Sequence, residues 1–100
     1  MIFKNGWSFG GEIVHTTDFG FGNGGNIKVS GITPSGSPIE NSIFLSEKLF
    51  SRVCEHFEKT AEKFPRVNVD GHFEMKTHET SGKNIKHNLR LIADELSWVS

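Results

Sequence analysis

Five basic residues, Arg66, Lys76, Lys83, Lys86 and Arg90, fall in a stretch whose carboxylates are Asp70, Glu74 and Glu79. That leaves the stretch at +2 before His72, His78 and His87 are counted, while the remainder of the chain carries −3. Lys28 lies on a separate segment and could extend the patch. Cations of this kind can track phosphates, and exposed aromatic rings beside them can accept bases, at roughly 1–3 kcal/mol each. The aromatic candidates are Trp7, Phe9, Phe19, Phe21, Phe44 and Phe73. Phe73 shares a period-two face with Val67, Val69 and Met75, which assigns it to the core. Phe44 alternates against Ile43 and Leu45 and so faces the other way, either exposed or in an interface. Trp7 suits a groove or a core equally, and Trp98 is expected to cap the core or enter a subunit contact.

Other chemistries find less support. His15, His56, His72, His78, His87 and Cys54 show no paired ligand spacing of a zinc site. No nucleophile motif or acid pair stands out, so the expectation is a protein that is not an enzyme and needs no cofactor or metal. The segment "DFGFGNGG", Asp18 to Gly25, is half glycine. It lacks the Gly-Lys-Ser/Thr ending of a phosphate-cradling loop, and the chain has no dinucleotide fingerprint opening a helix. The net charge of −1 carries no whole-chain basic signature of nucleic-acid binding. Cys54 is the only cysteine, which excludes an internal disulfide and fits a reducing compartment. The N-terminus shows no apolar signal core, and no run approaches a membrane helix of ~18 apolar residues. A cytoplasmic protein without a membrane partner is expected.

The elements that must position these groups follow from periodicity. One hundred residues without repeat, linker or low-complexity tail read as one domain, 1–100. A first strand over Trp7–Thr16 is interrupted by Gly10-Gly11, which suggests a bulge or bend. After the Gly-rich loop a second strand, Asn26–Thr33, places Ile27 and Val29 on one face, and "TPSGSP" turns the chain. A third strand spans Ile39–Leu45. The period then changes: Phe50, Val53, Cys54, Phe57, Ala61 and Phe64 recur at helical spacing, with Ser46 as N-cap and Pro65 as the stop. Two strands follow, with Gly71 as a second bend and "HETSGKN" as a hairpin tip. On the last strand Ile85, Leu89, Leu91 and Ala93 share one side. Lys86, Asn88 and Arg90 share the other, which turns apolar at Ile92, Leu96 and Trp98. All-β with one helix between strands 3 and 4, in a chain this short, suggests a five-stranded OB-fold barrel.

The segments "NSIFLSEKLFSRVCEHFEK" and "VNVDGHFEMKTHETSGKNIKHNLRLIADEL" resemble the OB domain of the bacterial single-stranded DNA-binding protein family, and the primosomal DNA-binding relative is similar. The matching features are Lys48-Leu49 in the helix, Val67, Val69 and Gly71 in the fourth strand, and Ser81-Gly82 at the hairpin tip. "GGNIKVSG" resembles the second strand, and the likeness runs from Gly24 to Leu96. In that family, bases stack on aromatics at positions matched here by Glu40, Ser46 and His78, of which only His78 can stack. The family's disordered linker and acidic C-terminal tip, which recruit partners there, are not expected beyond "LSWVS". The resemblance implies the fold more firmly than the binding mode.

Together these readings lead us to expect a single-stranded DNA-binding protein of low sequence specificity, acting in DNA replication or recombination and of phage or plasmid type. A homodimer or homotetramer is expected, with replication proteins as further partners. The expected nucleic-acid-binding residues are Trp7, Phe19, Phe21, Lys28, Phe44, Lys76, His78, Lys83, Lys86 and Arg90. The rival expectation is an OB-fold protein-interaction module with little nucleic-acid binding, favoured by near-neutral charge and by the family stacking positions that carry no aromatic. A cold-shock-like RNA-binding barrel rests on "FGFG" alone and is opposed by Asp18 and by the helix.

Overall fold

Alternation of apolar and polar residues builds the strands, and its interruptions set where they bend. The computed structural model describes residues 5–80 and 84–99, with side chains at 5–75 and 88–99. The order is β1 (Trp7–Asp18), β2 (Gly25–Ile32), β3 (Pro38–Leu45), α1 (Glu47–Lys59), β4 (Arg66–Thr80) and β5 (Asn84–Trp98). The five strands close into a barrel in the spatial order β1-β2-β3-β5-β4. All neighbours are antiparallel except β3 and β5, whose short parallel contact pairs Ile43 with Leu91 and Phe44 with Ile92. This is the OB-fold barrel, with its helix between strands 3 and 4.

β1 is long enough to serve two neighbours. Trp7–Glu12 pair with Gly71–Arg66 of β4, and Glu12–Asp18 pair with Ser30–Gly25 of β2. The register shift on the β2 side falls between Ile13 and His15, leaving Val14 as the extra residue of a bulge. Gly10-Gly11 therefore mark the region where the strand exchanges partners, not the bulge itself. Gly71 does sit at an irregularity, beside the register shift of β4 on β5. A side chain there would strike the Ile92 carbonyl and the Trp7 indole.

The barrel is filled by Ile13, Ile27, Val29, Ile43, Leu45, Val67 and Val69, and α1 adds Leu49, Phe50 and Val53 to the same cluster. Burial at about 25 cal/mol per Å² of apolar surface makes these inward faces the main stabilising element. Among the described residues no polar side chain is buried.

Three details depart from the periodicity. The helix ends at Lys59, well before Pro65: the Thr60 N–H and hydroxyl still bond to the His56 carbonyl, but the Thr60 backbone is already extended at φ −122° and ψ 155°. Ala61 and Phe64 thus lie outside it, and Cys54 is exposed. On β5, Leu96 is buried rather than outward-facing. The register jumps from Ala93 to Glu95, so Asp94 is an extra residue, and everything beyond it changes face. Trp98 consequently turns inward against Val67 and stacks on His56 of the helix, ring centroids 3.7 Å apart. Finally, Met75 and Leu89, cross-strand partners expected in the core, are 62% and 60% exposed. The β4–β5 ribbon runs past the barrel there, and the inward face has nothing left to cover it. The tip at 81–83 lies outside the described residues.

Candidate nucleic-acid interface

Phe44 emerges on the outer face of β3 because its neighbours Ile43 and Leu45 both point inward. Its register partners are Asn26 on β2 and Ile92 on β5. Extending the pairing gives one transverse row, Thr17–Asn26–Phe44–Ile92–His72, which crosses all five strands on the outside of the barrel. Phe44 is half-buried within it. The Arg90 guanidinium lies over its ring, 4.8 Å from the centroid, and Phe19 stacks beside it at 6.0 Å with planes 16° apart. Cation–π contact and ring offset of this kind hold an aromatic face in a fixed orientation.

Phe19 belongs to the loop between β1 and β2, and that loop is ordered by its own backbone. The Gly20 N–H donates to Asp18 Oδ1 at 2.8 Å, the Asn23 N–H to the Gly20 carbonyl at 3.1 Å, and the Phe19 N–H to the Gly24 carbonyl at 3.1 Å. A further bond ties it to the helix: the Gly24 N–H donates to Glu47 Oε2 at 3.0 Å. Ser46 occupies the N-cap without a side-chain bond, so the first-turn carboxylate of Glu47 serves the loop instead. Gly24 needs its φ of +77°, and a side chain there would meet the Leu45 carbonyl. Phe21 takes φ +54° without being glycine and is fully exposed at the loop tip. A bulky residue held in the left-handed region, with no apolar contact in return, is uncommon.

The remaining expected site residues distribute as follows. Lys28 stands in the outer row adjacent to Phe44, opposite Ser42, and pairs with Glu40 at 3.8 Å with both side chains half exposed. Such a half-exposed pair contributes little to stability. Trp7 is half-buried, packs on the core and donates its indole N–H to the His72 carbonyl at 2.9 Å. It stands at the far end of the row from Phe19. The side chains of Lys76, His78 and Lys86 and the whole of Lys83 lie outside the described residues. The backbone puts Lys76 opposite Asn88 and His78 opposite Lys86 on the ribbon.

One cluster in this row has no counterpart in the periodicity of the strands. His72 Nδ1 lies 2.9 Å from Asp94 Oδ2, and its Nε2 lies 2.6 Å from Glu74 Oε2. Both ring nitrogens face carboxylates, an arrangement only the doubly protonated ring satisfies with two donors. The Glu74 hydrogen bond first, and that to Asp94 second, raise the His72 pKa above its ordinary value. The spacing of His72 and Glu74 signalled a shared face, but Asp94 is delivered by the bulge, which no local pattern announces. Among the described residues no cluster of His, Cys, Asp and Glu could hold a metal ion, and no helix is long and apolar enough to cross a membrane.

The barrel and its helix define an OB-fold domain, with the aromatic row on its outer face. No protein-family model and no curated protein matches the chain by sequence. Its fold is nevertheless shared with solved structures over nearly full length. Mitochondrial single-stranded DNA binding protein Rim1 of S. cerevisiae superposes with a TM-score of 0.63 at 15% identity, covering 99% of this chain and 97% of that one. The dimeric N-terminal domain of PriB from Thermoanaerobacter tencongensis gives 0.63 at 18%, with 96% and 97% covered. Plasmodium falciparum SSB, solved in complex with ssDNA, gives 0.63 at 12%, with 100% and 98% covered.

Proposed function

We propose that this chain binds single-stranded DNA with low sequence specificity across the outer face of its barrel. The observation that carries the reading is the Phe19–Phe44–Arg90 assembly: an oriented aromatic face with a guanidinium upon it. Every base has a π-face, so a platform of this type accepts any sequence, while Arg90 and Lys28 supply cations for the backbone. The folds of Rim1, PriB and the DNA-bound Plasmodium SSB support the reading, as does the basic ribbon sequence from Lys76 to Arg90. In this reading Phe21 adds a second stacking surface, and Lys76, His78, Lys83 and Lys86, assigned by sequence, prolong the path along the ribbon. Trp7 serves the barrel edge and contributes to the path only through its exposed rim.

A role in replication or recombination, a homodimer or homotetramer, and a cytoplasmic setting complete the proposal. The dimeric PriB domain supports the oligomer. The test is a fluorescence titration with poly-dT at low and high salt. Salt-sensitive binding is expected, because phosphate contacts release counterions. No binding at micromolar protein sinks the proposal.

A protein-interaction module is the second reading, favoured by the carboxylates Asp70, Glu74, Asp94 and Glu95 on the β4–β5 face. Charge reversal at Lys76, Lys83 and Lys86 separates the two. DNA binding collapses under the first reading, whereas capture of a protein partner survives under the second.

A further inference from the structure

Glu74 has two cationic neighbours and bonds to one of them. It is the cross-strand partner of Arg90, so their β-carbons stand on the same face at the ~5 Å spacing of paired residues. Its carboxylate nevertheless turns along its own strand to His72 Nε2, and Arg90 is left over the Phe44 ring. On the other side of the imidazole, Asp94 is aimed at Nδ1 by the bulge. The imidazole thus sits between two carboxylates, one of which would otherwise be free to take the guanidinium.

We propose that His72 is a positioning residue for the binding platform: its charged ring retains Glu74, which keeps Arg90 on Phe44 and open to a phosphate. Loss of the proton from Nε2 leaves the Nδ1–H bonded to Asp94 and turns Nε2 into an acceptor, which releases Glu74. Glu74 then pairs with Arg90, neutralising it and drawing it from the aromatic face. The inference rests on the single-strand binding reading and deepens it by giving that site a pH dependence.

The surrounding charges are consistent with this assignment. On β4 the next carboxylate towards the strand start is Asp70, and its β5 partner is Glu95. Both lie beyond the bulge, with Asp94, along a groove whose other wall carries Lys48 and Arg52 of α1. Those two cations face Asp70, Asp94 and Glu95, and Arg52 donates to the Leu96 carbonyl at 3.2 Å. From β1 the Trp7 indole N–H reaches the His72 carbonyl and brings no charge. Among the described residues, Arg90 is the cation across the strand pair from Glu74. The raised His72 pKa is the thermodynamic counterpart of the same contacts.

The test measures poly-dT affinity at constant salt from about pH 5.5 to pH 8.5, a window that spans ordinary and raised histidine titration. The wild type is expected to weaken roughly two- to fivefold with rising pH, the size of an exposed ion pair forming between Glu74 and Arg90. With His78 and His87 of the ribbon replaced by Gln in every protein compared, the step is expected to vanish in His72→Gln and also in Glu74→Gln. A general charge effect of the imidazole predicts otherwise, since His72 still titrates in Glu74→Gln. A full step in either variant overturns the proposal.

A second measurement needs no DNA. In NMR titrations the Arg90 Nε–H and the Phe44 ring signals should move with the His72 midpoint in the wild type and stay still in Glu74→Gln. If those signals ignore His72 in the wild type, the proposal fails whatever the DNA result. If they follow His72 while poly-dT binds at no pH, the positioning role stands and the single-strand reading falls.

Discussion

Replacing Phe44 with alanine tests the platform at its centre. The ring is half-buried and lies outside the fully buried cluster, so the change should cost less stability than the ~3–5 kcal/mol typical of a core phenylalanine. The substitution removes the stack on Phe19 and the cation–π interaction with Arg90. Stacks of this kind contribute about 0.5–1.5 kcal/mol and exposed cation–π pairs about 0.5–1 kcal/mol, so a total near 1–2.5 kcal/mol is expected in urea unfolding. For binding, removal of one stacking surface costs about 1–3 kcal/mol. At 1.4 kcal/mol per tenfold, that is roughly a 5- to 150-fold weaker Kd for poly-dT. The salt series adds a second dimension. Phe44→Ala should leave the slope of log K against log[salt] unchanged, because the ring touches no phosphate. Arg90→Ala should lower the slope by about 0.7 if the guanidinium meets one phosphate. Phe44→Trp, which keeps a π-face, should retain affinity. A folded Phe44→Ala variant that binds within twofold of wild type would refute the platform.

Three further outcomes follow from the loop and from His72. Gly24→Ala should destabilise the fold by at least about 1–2 kcal/mol in urea unfolding, the ordinary left-handed penalty, with the clash at the Leu45 carbonyl added. Phe21→Gly should leave stability unchanged or raise it by up to roughly 1 kcal/mol, because it relieves the left-handed φ, while weakening poly-dT binding; stability and affinity falling together would argue against a stacking tip. The folded-state pKa of His72 lies above its unfolded value, so its stabilising contribution is complete below the unfolded pKa and is lost as pH rises through the folded pKa. Thermal unfolding of His72→Gln against wild type should therefore show a difference at pH 5.5–6 that shrinks towards alkaline pH, and a constant difference contradicts the assignment.

Period-two alternation was enough to place Ile43 and Leu45 inside and Phe44 outside, and the order of elements was enough for the barrel. Periodicity failed where the count of residues, not their type, decided the outcome. By parity Leu96 and Trp98 share the face of Arg90 and Ile92, yet the extra residue Asp94 moves both to the opposite face, where Trp98 packs on the core as expected. Met75 and Leu89 have core-type side chains and core-type spacing, but nothing in either strand reveals that the ribbon outruns the barrel there. The helix stops at Lys59 because Thr60 turns to extended backbone, five residues ahead of Pro65, which no spacing of apolar residues announced. Phe19 and Phe44 were each legible as stacking candidates, whereas their meeting depends on the Glu47 bond that fixes the loop on the helix. Lys76, His78, Lys83 and Lys86 remain assigned by sequence.

The double pairing of β1 also has a kinetic consequence. Its bonds to β2 close a short loop, while the seam with β4 brings together residues 54 to 64 positions apart. Closing that seam carries the larger entropy cost, and pairings of such separation tend to form late. Until they do, the first half of β1 and the start of β4 are bare edges able to pair with another chain. Val69→Ala, on the seam, should accordingly speed unfolding more than it slows folding, and Ile27→Ala, in the β1–β2–β3 meander, should do the reverse. Concentration-dependent refolding yield would expose the same open seam from the other side: the barrel is shut by its most distant partners, and protection against misassembly arrives last.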